Sequence, residues 1–423
     1  MIRRRGEDVS GQGGVVSTYD PARQRPRVSP IAARLAHPPR WLLWLIRTLW
    51  PIPRLFGWAG VFRYHDVAEV LTRSDVFEVP FGAEIARLND GAEPGTPFIL
   101  GIDDRDRHDR QLELVMQAFR LADVATIVTP ESRDRARDVV ARAGAGPLDA
   151  IPALVTGIPL HLCAAYYGVT LPEPQKFAYA AIAVSGHLFG SPPIKPDRAI
   201  DVAAAYVREV VDGAIDAELA RPSGRDTVLA RLVRVHRADQ AQLSRKDVRA
   251  FLIGMIVGFV PTNTMAGGHI LEVLLREKEQ MAAAREAALA GDDDLLKHCL
   301  FETMRFMPLN PGPFRICSRD YTIAADTRRA RTLKAGTKVL ASTMSAMFDG
   351  RQLDAPRRFD PRRPASDYML FGYGMHWCVG AFIAQAQITQ TFKAVLLKRG
   401  LRRAGKLEKW GLFPDRLPVC WDA

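Results

Sequence analysis

A cysteine lies in the short glycine-rich stretch "FGYGMHWCVG" (371–380). Glycines at 372, 374 and 380 would let the backbone turn with positive φ and let another molecule come close. An apolar helix is predicted directly after the turn, over 380–400, so the Cys378 thiol would meet unpaired N–H groups and the positive end of a helix dipole. Both effects lower a thiol's pKa and hold a thiolate. A structural cysteine beside a glycine turn is the alternative.

Two upstream stretches carry charges at suggestive spacing. "FETMRF" places Glu302 and Arg305 three residues apart, about 75 residues before Cys378. "RFDPRR" places Arg363 between this pair and the cysteine. One such pair means little, because helices are full of charge pairs at this spacing. The order of all three stretches is the informative feature.

The elements that position these residues are mostly helices. Residues 60–80 indicate a strand followed by a short helix, and from about 107 onwards apolar residues recur with the helical period. An apolar helix over 245–275 follows the N-cap candidate Ser244, and it is apolar around most of its circumference, so it should cross the interior. Strands are predicted at 321–325 and 332–341, with "LKAGTKV" as a hairpin turn. We predict one mainly α domain with small β-sheets over 36–423, after a flexible segment over 1–35.

Composition narrows the class of protein. The chain has 423 residues, 48% hydrophobic and 25% charged, with five scattered cysteines. An odd number of unpaired cysteines argues against a disulfide framework and favours the reducing cytoplasm. The net charge is +11, yet no run of five basic residues occurs, so we expect no nucleic-acid partner and favour a basic face for an acidic protein.

The apolar stretch "WLLWLIRTLW" (41–50) is too short for a transmembrane span, which needs roughly 20 apolar residues. A buried or edge-packed helix is one interpretation. The other is an interfacial or substrate-channel patch built on Trp41, Trp44 and Trp50.

The three charged and cysteine-containing stretches resemble one family. "FGYGMHWCVG" fits Phe-x-x-Gly-x-His-x-Cys-x-Gly, the haem-ligand loop of the cytochrome P-450 family, and Glu302, Arg305 and Arg363 match its Glu-Arg-Arg cluster. The resemblance covers most of the chain. It implies the cytochrome P-450 fold as a single large domain, haem b with Cys378 as the axial thiolate, and a structural ion cluster on the proximal side. Phe371 would shield the sulfur, and the framing residues would be Gly372 and Gly380.

The resemblance also suggests how the haem propionates are held. Matching positions give His108, Arg315 and His376 as donors. The family commonly has an arginine four residues after the first histidine, where this chain has Leu112. Arg110 could share that role.

The long helix departs from the family pattern of glycine, acid and threonine. It reads "IVGFVPTNT", so Gly258 matches the glycine, Val260 stands at the acid position and Pro261 at the threonine position. Proline kinks an ordinary helix. Thr262 or Thr264 could supply the hydroxyl in a proton relay. The alternative is a plain kink in which the threonines satisfy freed carbonyls.

The implied function is a haem-thiolate monooxygenase that inserts one oxygen atom from O2 into a lipophilic small organic substrate. Electrons would come from a separate ferredoxin or flavodoxin with its reductase, docked on a basic patch of Arg105, Arg107, Arg110, Lys393, Lys398 and Arg399. Two alternatives are peroxide-driven oxidation or rearrangement, which the Val260–Pro261 replacement favours, and a non-catalytic haem or gas-binding protein. The predicted substrate pocket comprises Phe81, Ile85, Phe259, Val260, the stretch from Asn310 through Pro313 to Phe314, and Phe413.

Overall fold

The structure is a computed structural model that describes residues 19–24, 36–91, 95–189 and 198–423. Most of the segment predicted to be flexible (1–35) lies outside these ranges. Within it, Tyr19 is buried and stacks on Tyr206 with ring centroids 5.9 Å apart. This part of the segment therefore packs on the domain, and flexibility of the rest of 1–35 stays a prediction.

Helices dominate the described residues. Fourteen α-helices occur there, with these bounds: α1 Arg40–Leu49, α2 Tyr64–Thr72, α3 Gly82–Asp90, α4 Arg105–Ala118, α5 Thr129–Arg142, α6 Gly157–Ala165, α7 Pro174–Phe189, α8 Arg198–Ala220, α9 Val228–Ala238, α10 Arg245–Leu274, α11 Lys278–Ala290, α12 Asp293–Phe306, α13 Thr343–Ala346 and α14 Ala381–Leu396. Short 3-10 turns cover Ile99–Gly101, Ala365–Asp367 and Gly374–His376, and π-helical turns cover Val124–Val128 and Ile151–Val155.

Twelve short strands in the described ranges form four small sheets. Their bounds are β1 Arg54–Leu55, β2 Trp58–Val61, β3 Phe77–Glu78, β4 Leu148–Asp149, β5 Phe314–Cys317, β6 Tyr321–Ile323, β7 Arg331–Leu333, β8 Lys338–Ala341, β9 Arg402–Arg403, β10 Glu408–Trp410, β11 Phe413–Arg416 and β12 Pro418–Cys420. The orders are β1-β2-β8-β5-β3, β4-β12-β9, β10-β11 and β6-β7. Only the β2–β8 pair is parallel.

One turn was predicted wrongly. "LKAGTKV" does turn, with Gly336 at φ +81°, but it does not join the two strands of a hairpin. β7 pairs with β6, whereas β8 pairs with β2 and β5 in another sheet. Local turn chemistry cannot tell a hairpin from a crossing between sheets, because the pairing partners lie far away in the chain.

The long helix α10 passes through the core. Ser244 and Asp247 form a capping box at its start, so each side chain satisfies the other residue's backbone N–H. The helix continues through Pro261 to Leu274 without a break. It is long and apolar enough to cross a bilayer, but 83% of its most apolar window is buried inside the protein, which is the pattern of an internal helix.

Candidate active site

The cysteine loop is a closed turn between Phe371 and Cys378. The Cys378 N–H donates to the Phe371 carbonyl over 2.9 Å, and α14 begins three residues later at Ala381. Gly372 and Gly374 have φ of +82° and +72°, and a Cβ on Gly374 would lie 2.5 Å from the Leu71 carbonyl oxygen. Both glycines are therefore required by the turn. Gly380 has φ −87°, so the positive φ predicted there is wrong.

Cys378 is the exposed member of the five cysteines, because its sulfur faces an internal cavity. Desolvation by the surrounding protein raises the pKa of this thiol, and the hydrogen bond from the Gly380 N–H lowers it by less. The predicted low pKa is thus wrong for the protein alone, since one backbone donor at the helix start does not outweigh burial. A bound metal cation would stabilise the thiolate where the protein alone does not, because a coordinating thiol is deprotonated outright.

The cavity beside Cys378 has a volume of about 650 Å³. The cysteine loop forms one wall, with Phe371, His376, Cys378 and Gly380, and α10 forms another, with Gly258, Phe259 and Thr262. A Cβ on Gly258 would meet no atom within 4 Å, so open space lies directly beside this glycine. The cavity is therefore bounded by the predicted ligand on one side and the predicted distal helix on the other.

Two predicted propionate ligands meet at this cavity. The rings of His108 and His376 are perpendicular with centroids 5.5 Å apart, and both line the cavity. The buried Nδ1 of His376 has no hydrogen-bond partner, while its Nε2 lies 3.2 Å from Asp103 Oδ1. Burial lowers the pKa of His376, and the Asp103 bond opposes that effect.

Arg315 is not among the residues that line the cavity. It is buried, it donates to the Phe314 carbonyl, and its charge acts on both Asp103 and His376. Burial lowers the pKa of Arg315 to about 10, which leaves it cationic at neutral pH. Asp103 was not foreseen; it accepts from the Val79 N–H and from His376.

Arg110 is not brought to this site. It is exposed on α4, whereas His108, Leu112 and Met116 line the cavity at four-residue intervals. A residue two positions from His108 projects from the far side of a helix with 3.6 residues per turn. The carboxylate-binding role expected of Arg110 therefore has no support in its position.

The distal stretch of α10 ties its own side chains back to the helix. Thr262 Oγ1 donates to the Gly258 carbonyl, Asn263 Nδ2 to the Phe259 carbonyl over 2.8 Å, and Thr264 Oγ1 to the Val260 carbonyl over 2.8 Å. Each bond spans four residues, as in side chains that satisfy helix carbonyls near a proline. Thr262 and Asn263 line the cavity.

Three distal candidates lie outside the cavity lining. Thr264 is buried and pairs with Thr156 over 3.0 Å, and Val260 and Pro261 are also buried. Gly258 and Thr262 share the cavity face because they are four residues apart. The structure therefore leaves Thr262 as the hydroxyl of this stretch that reaches the cavity.

Glu302, Arg305 and Arg363 form a buried ion cluster. Glu302 and Arg305 are fully buried and joined by two hydrogen bonds of 2.6 and 2.8 Å, and Arg363 Nε lies 3.5 Å from the same carboxylate. Tyr368 donates to Glu302 over 2.8 Å, a fourth member that the sequence analysis missed. Arg305 also donates to the carbonyls of Met347, Pro356 and Arg358, so the cluster fixes α12 to the segment before the cysteine loop.

The predicted pocket residues divide sharply. Ile85, Phe259 and Asn310 line the cavity. Those outside its lining are Phe81, Val260, Pro313, Phe314 and Phe413. Phe81 packs on Phe189, which does line the cavity, and Phe314 packs on Trp58. The missed lining residues are mostly apolar and include Leu88, Phe98, Leu100, Val184, Leu188, Phe189 and Ile253.

Comparisons with known proteins agree with this geometry. The family model described as Cytochrome P450 matches residues 197–399. The mycinamicin IV hydroxylase/epoxidase of Micromonospora griseorubida is 26% identical over 332 residues, 75% of this chain and 78% of that protein. The nocardicin C N-oxygenase of Nocardia uniformis subsp. tsuyamanensis is 27% identical over 376 residues, 85% of this chain and 89% of that protein.

The chain belongs to the cytochrome P450 family. The crystal structure of CYP105P1 in complex with filipin I superposes with a TM-score of 0.74 at 20% identity, covering 94% of this chain and 98% of that one. This cytochrome P450 thus has the fold predicted, and it is a haem-thiolate monooxygenase.

The residues present fit the haem iron cofactor of a cytochrome P450. The cavity holds an accessible thiol on one wall and open space beside Gly258 on the other. At one end, the unpartnered Nδ1 of the buried His376 suits a carboxylate. The donor set of one thiolate, two histidines and a buried arginine is the chemistry that an anionic porphyrin requires.

Proposed function

We propose that this cytochrome P450 binds haem b through Cys378 and oxygenates a lipophilic molecule that carries one hydrogen-bond donor. The observation that carries the proposal is the single cavity with Cys378 on one wall and Gly258, Phe259 and Thr262 on the other. The haem, when bound, supplies oxygen activation, and the anionic sulfur favours O–O cleavage. The protein would hold the haem, orient the substrate and donate protons.

The propionates of haem b would be held by His108 and His376, with Arg315 as the nearby cation. His376 keeps its Nε2 against Asp103, which leaves Nδ1 for a propionate oxygen. Arg315 offsets the charge that Asp103 and a propionate would otherwise bring together. Phe371 covers the loop on the inner side, 5.5 Å from the Phe301 ring, and keeps water from the sulfur.

The substrate should be lipophilic because the cavity wall is mostly aliphatic and aromatic. One of the polar side chains that line the cavity, Asn263, has an acceptor atom without a partner. The Asn263 amide nitrogen is committed to the Phe259 carbonyl, so the Oδ1 position of the amide is fixed, and that buried oxygen has no partner. A substrate hydroxyl or N–H would satisfy it, and an unsatisfied buried acceptor costs about 1–3 kcal/mol.

Thr262 is the proposed proton donor. Its hydroxyl donates to the Gly258 carbonyl, so it must rotate, or pass a proton through an ordered water, to serve the cavity. Val260 and Pro261 carry no transferable proton. The O2-dependent reaction therefore rests on this one hydroxyl, and peroxide-driven chemistry would be the outcome if it proves dispensable.

Electrons would come from a ferredoxin or flavodoxin with its reductase in the cytoplasm. Arg105, Arg107 and Arg110 are exposed on α4, but Asp104, Asp106 and Asp109 are exposed beside them, so this end of the predicted basic patch is nearly neutral. Lys393 is paired with Asp293 over 2.5 Å. Lys398 and Arg399, which follow α14, are therefore the better candidates for contact with an acidic redox partner.

The test is a carbon-monoxide difference spectrum of the reduced protein, followed by turnover with ferredoxin, its reductase, NADPH and labelled O2. A red-shifted, thiolate-type band that Cys378→Ser abolishes and Cys420→Ser retains supports the assignment. An imidazole-type band in the wild type overturns it. Label in the product identifies O2 as the oxygen source; product formed only with added peroxide identifies the other route.

A further inference from the structure

Helix α1 turns its apolar side chains outward. Trp41, Trp44, Leu45 and Leu49 are 66%, 47%, 37% and 73% exposed. At 3.6 residues per turn these positions share one face of the helix. A surface helix of a globular protein ordinarily buries such a stripe.

One of the two charged residues of α1 lies on its inner face. Arg47 is 4% exposed and donates to the Ser345 carbonyl over 2.8 Å, to Ser345 Oγ over 2.9 Å and to the Phe348 carbonyl over 2.7 Å. These bonds fix the rotation of the helix on the domain. The outward apolar face is therefore set by specific contacts and not by loose packing.

A second apolar element follows α1 directly. The β1–β2 turn displays Phe56, which is 92% exposed and has φ +47°, a conformation uncommon for an aromatic residue. The linker to α1 is held to β2, since Phe62 N–H donates to Pro51 and Gly60 N–H to Pro53. We define the apolar patch as Trp41, Trp44, Leu45, Leu49, Trp50, Leu55, Phe56 and Trp58, all of them exposed. It holds four of the chain's seven tryptophans.

The charges in the stretch of sequence that forms the apolar patch have one sign. Between Asp20 and Asp66 the sequence has eight arginines and no acidic residue. Arg40 and Arg54 are exposed in and beside the patch, and Lys338 lies over the Trp58 ring at 5.2 Å. Exposed tryptophans with a cationic rim suit the interface of an anionic bilayer, where indole rings sit at headgroup level and Arg or Lys meets the negative surface.

The segment is also bonded to the cavity wall. Arg40 donates to the Phe306 carbonyl over 3.0 Å, and His37 Nε2 lies 3.0 Å from the Pro308 carbonyl. The loop that begins there contributes Leu309 and Asn310 to the cavity lining. A surface that touches lipid would thus lie beside the loop that bounds the proposed substrate site.

We propose that the apolar patch docks the enzyme on an anionic lipid bilayer, with α1 lying in the interface plane. The observation that decides for a bilayer over a protein partner is the outward tryptophan and leucine face with exposed Arg40, Arg54 and Lys338 in and beside it, formed by a stretch of sequence without acidic residues. The docking does not depend on the haem ligands or on the substrate, so it can fail or hold independently of the proposed function.

The test is vesicle flotation of the haem-loaded enzyme, with vesicles of phosphatidylcholine alone or with added phosphatidylglycerol. We expect binding that requires the anionic lipid, weakens with salt, and is accompanied by a blue shift of tryptophan fluorescence. The triple variant Trp41→Ser, Trp44→Ser, Phe56→Ser should lower the vesicle partition coefficient by about tenfold or more. Arg40→Gln with Arg54→Gln should weaken the salt dependence.

The matched control is Leu121→Ser with Leu289→Ser, which removes two side chains of 58% and 59% exposure from other parts of the surface. It should float like the wild type, and all variants should keep their carbon-monoxide spectrum. The proposal is overturned if the wild type does not float with anionic vesicles, or if the triple variant floats equally well. It is also overturned if light scattering shows a wild-type dimer that the triple variant dissociates and vesicles do not bind, because a second copy then covers the patch.

Discussion

Glu302 and Arg305 are joined by two parallel hydrogen bonds, 2.6 and 2.8 Å long, between side chains with no solvent exposure. The two residues lie less than one helical turn apart. Glu302 also contacts Arg363, Tyr368 and the backbone N–H of Asp360, which are remote in the chain. The Glu302 carboxylate balances two buried guanidiniums and orders a long irregular segment. We therefore expect it to stabilise the fold and not to contact the substrate.

Glu302→Gln should therefore lower the free energy of unfolding strongly. Loss of the carboxylate leaves Arg305 and Arg363 as buried cations with too little opposite charge, which costs ~3–5 kcal/mol. Urea unfolding, with haem content read from the same samples, measures the effect. Glu286→Gln, at an exposed position of α11, is the control and should change neither the free energy of unfolding nor the haem content. A stable, haem-replete Glu302→Gln variant that only turns over slowly would show that the cluster has a catalytic role instead.

The two threonines of the distal helix should behave differently. Thr262 lines the cavity, so Thr262→Ala should lower product formed per NADPH and raise peroxide release, because general acid assistance is worth ~10²–10⁴-fold. Thr262→Ser restores the hydroxyl and should restore coupling, which a merely structural role would not require. Peroxide release and product yield are measured together with haem content.

Thr264→Ala is the matched comparison two residues away. Its hydroxyl pairs with Thr156 inside the core, so its loss should reduce the free energy of unfolding by about 1 kcal/mol and leave coupling unchanged. The reverse pattern, with Thr264→Ala uncoupled and Thr262→Ala normal, contradicts the assignment. Normal coupling in both variants places the proton source off this helix and directs attention to peroxide as oxidant.

Asn263 should select ligands that carry a hydrogen-bond donor. We expect the wild type to bind a long-chain alcohol about tenfold more tightly than its methyl ether, since only the alcohol can donate to the buried Oδ1. Asn263→Leu keeps a similar volume and should abolish that preference. The substrate-induced shift of the haem absorption band gives both affinities.

Asn310→Leu changes another cavity amide and serves as the control for Asn263. It should retain the preference for the alcohol. Loss of the preference in Asn310→Leu, with retention in Asn263→Leu, would move the polar anchor to the loop after α12.

The sequence predicted which segments form the site better than it predicted which of their side chains line the cavity. Cys378, Glu302 and Arg305 were predicted because the order and spacing of three stretches resemble one family's motifs, and the structure places Cys378 on the cavity and joins Glu302 to Arg305. Arg110 and Thr264 were placed at the site without applying the helix period, which turns each of them away from a neighbour that does line the cavity, His108 and Thr262 respectively. That signal was in the sequence.

Other features had no local signal. Tyr368 joins the ion cluster through a hydrogen bond to Glu302, 66 residues away in the chain. The β2 partner of β8 is more remote still. So is Ser345, which accepts from Arg47 and thereby turns the tryptophans of α1 outward. Such contacts depend on how distant segments pack, which periodicity and turn chemistry do not determine.

A buried histidine should make stability depend on pH. His269 on α10 has no solvent exposure and packs edge-to-face on His37, with ring centroids 5.0 Å apart. Burial, assisted by the nearby His37 and Lys409, lowers the pKa of His269 from 6.5 to about 3. In the folded protein this ring stays neutral at mildly acidic pH, whereas in the unfolded chain it takes up a proton below about 6.5.

The unfolded state therefore binds more protons in this range, so the free energy of unfolding should fall as the pH drops from 6.5 towards 3. The contribution of one such histidine approaches about 1.4 kcal/mol per pH unit. His269→Leu removes it, and the slope of unfolding free energy against pH should be shallower by that amount between pH values of about 6.5 and 5. Urea unfolding at a series of pH values measures the two slopes. His65→Gln, at an exposed position, should keep the wild-type slope, and an unchanged slope in His269→Leu would mean that the buried ring takes up its proton without unfolding the protein.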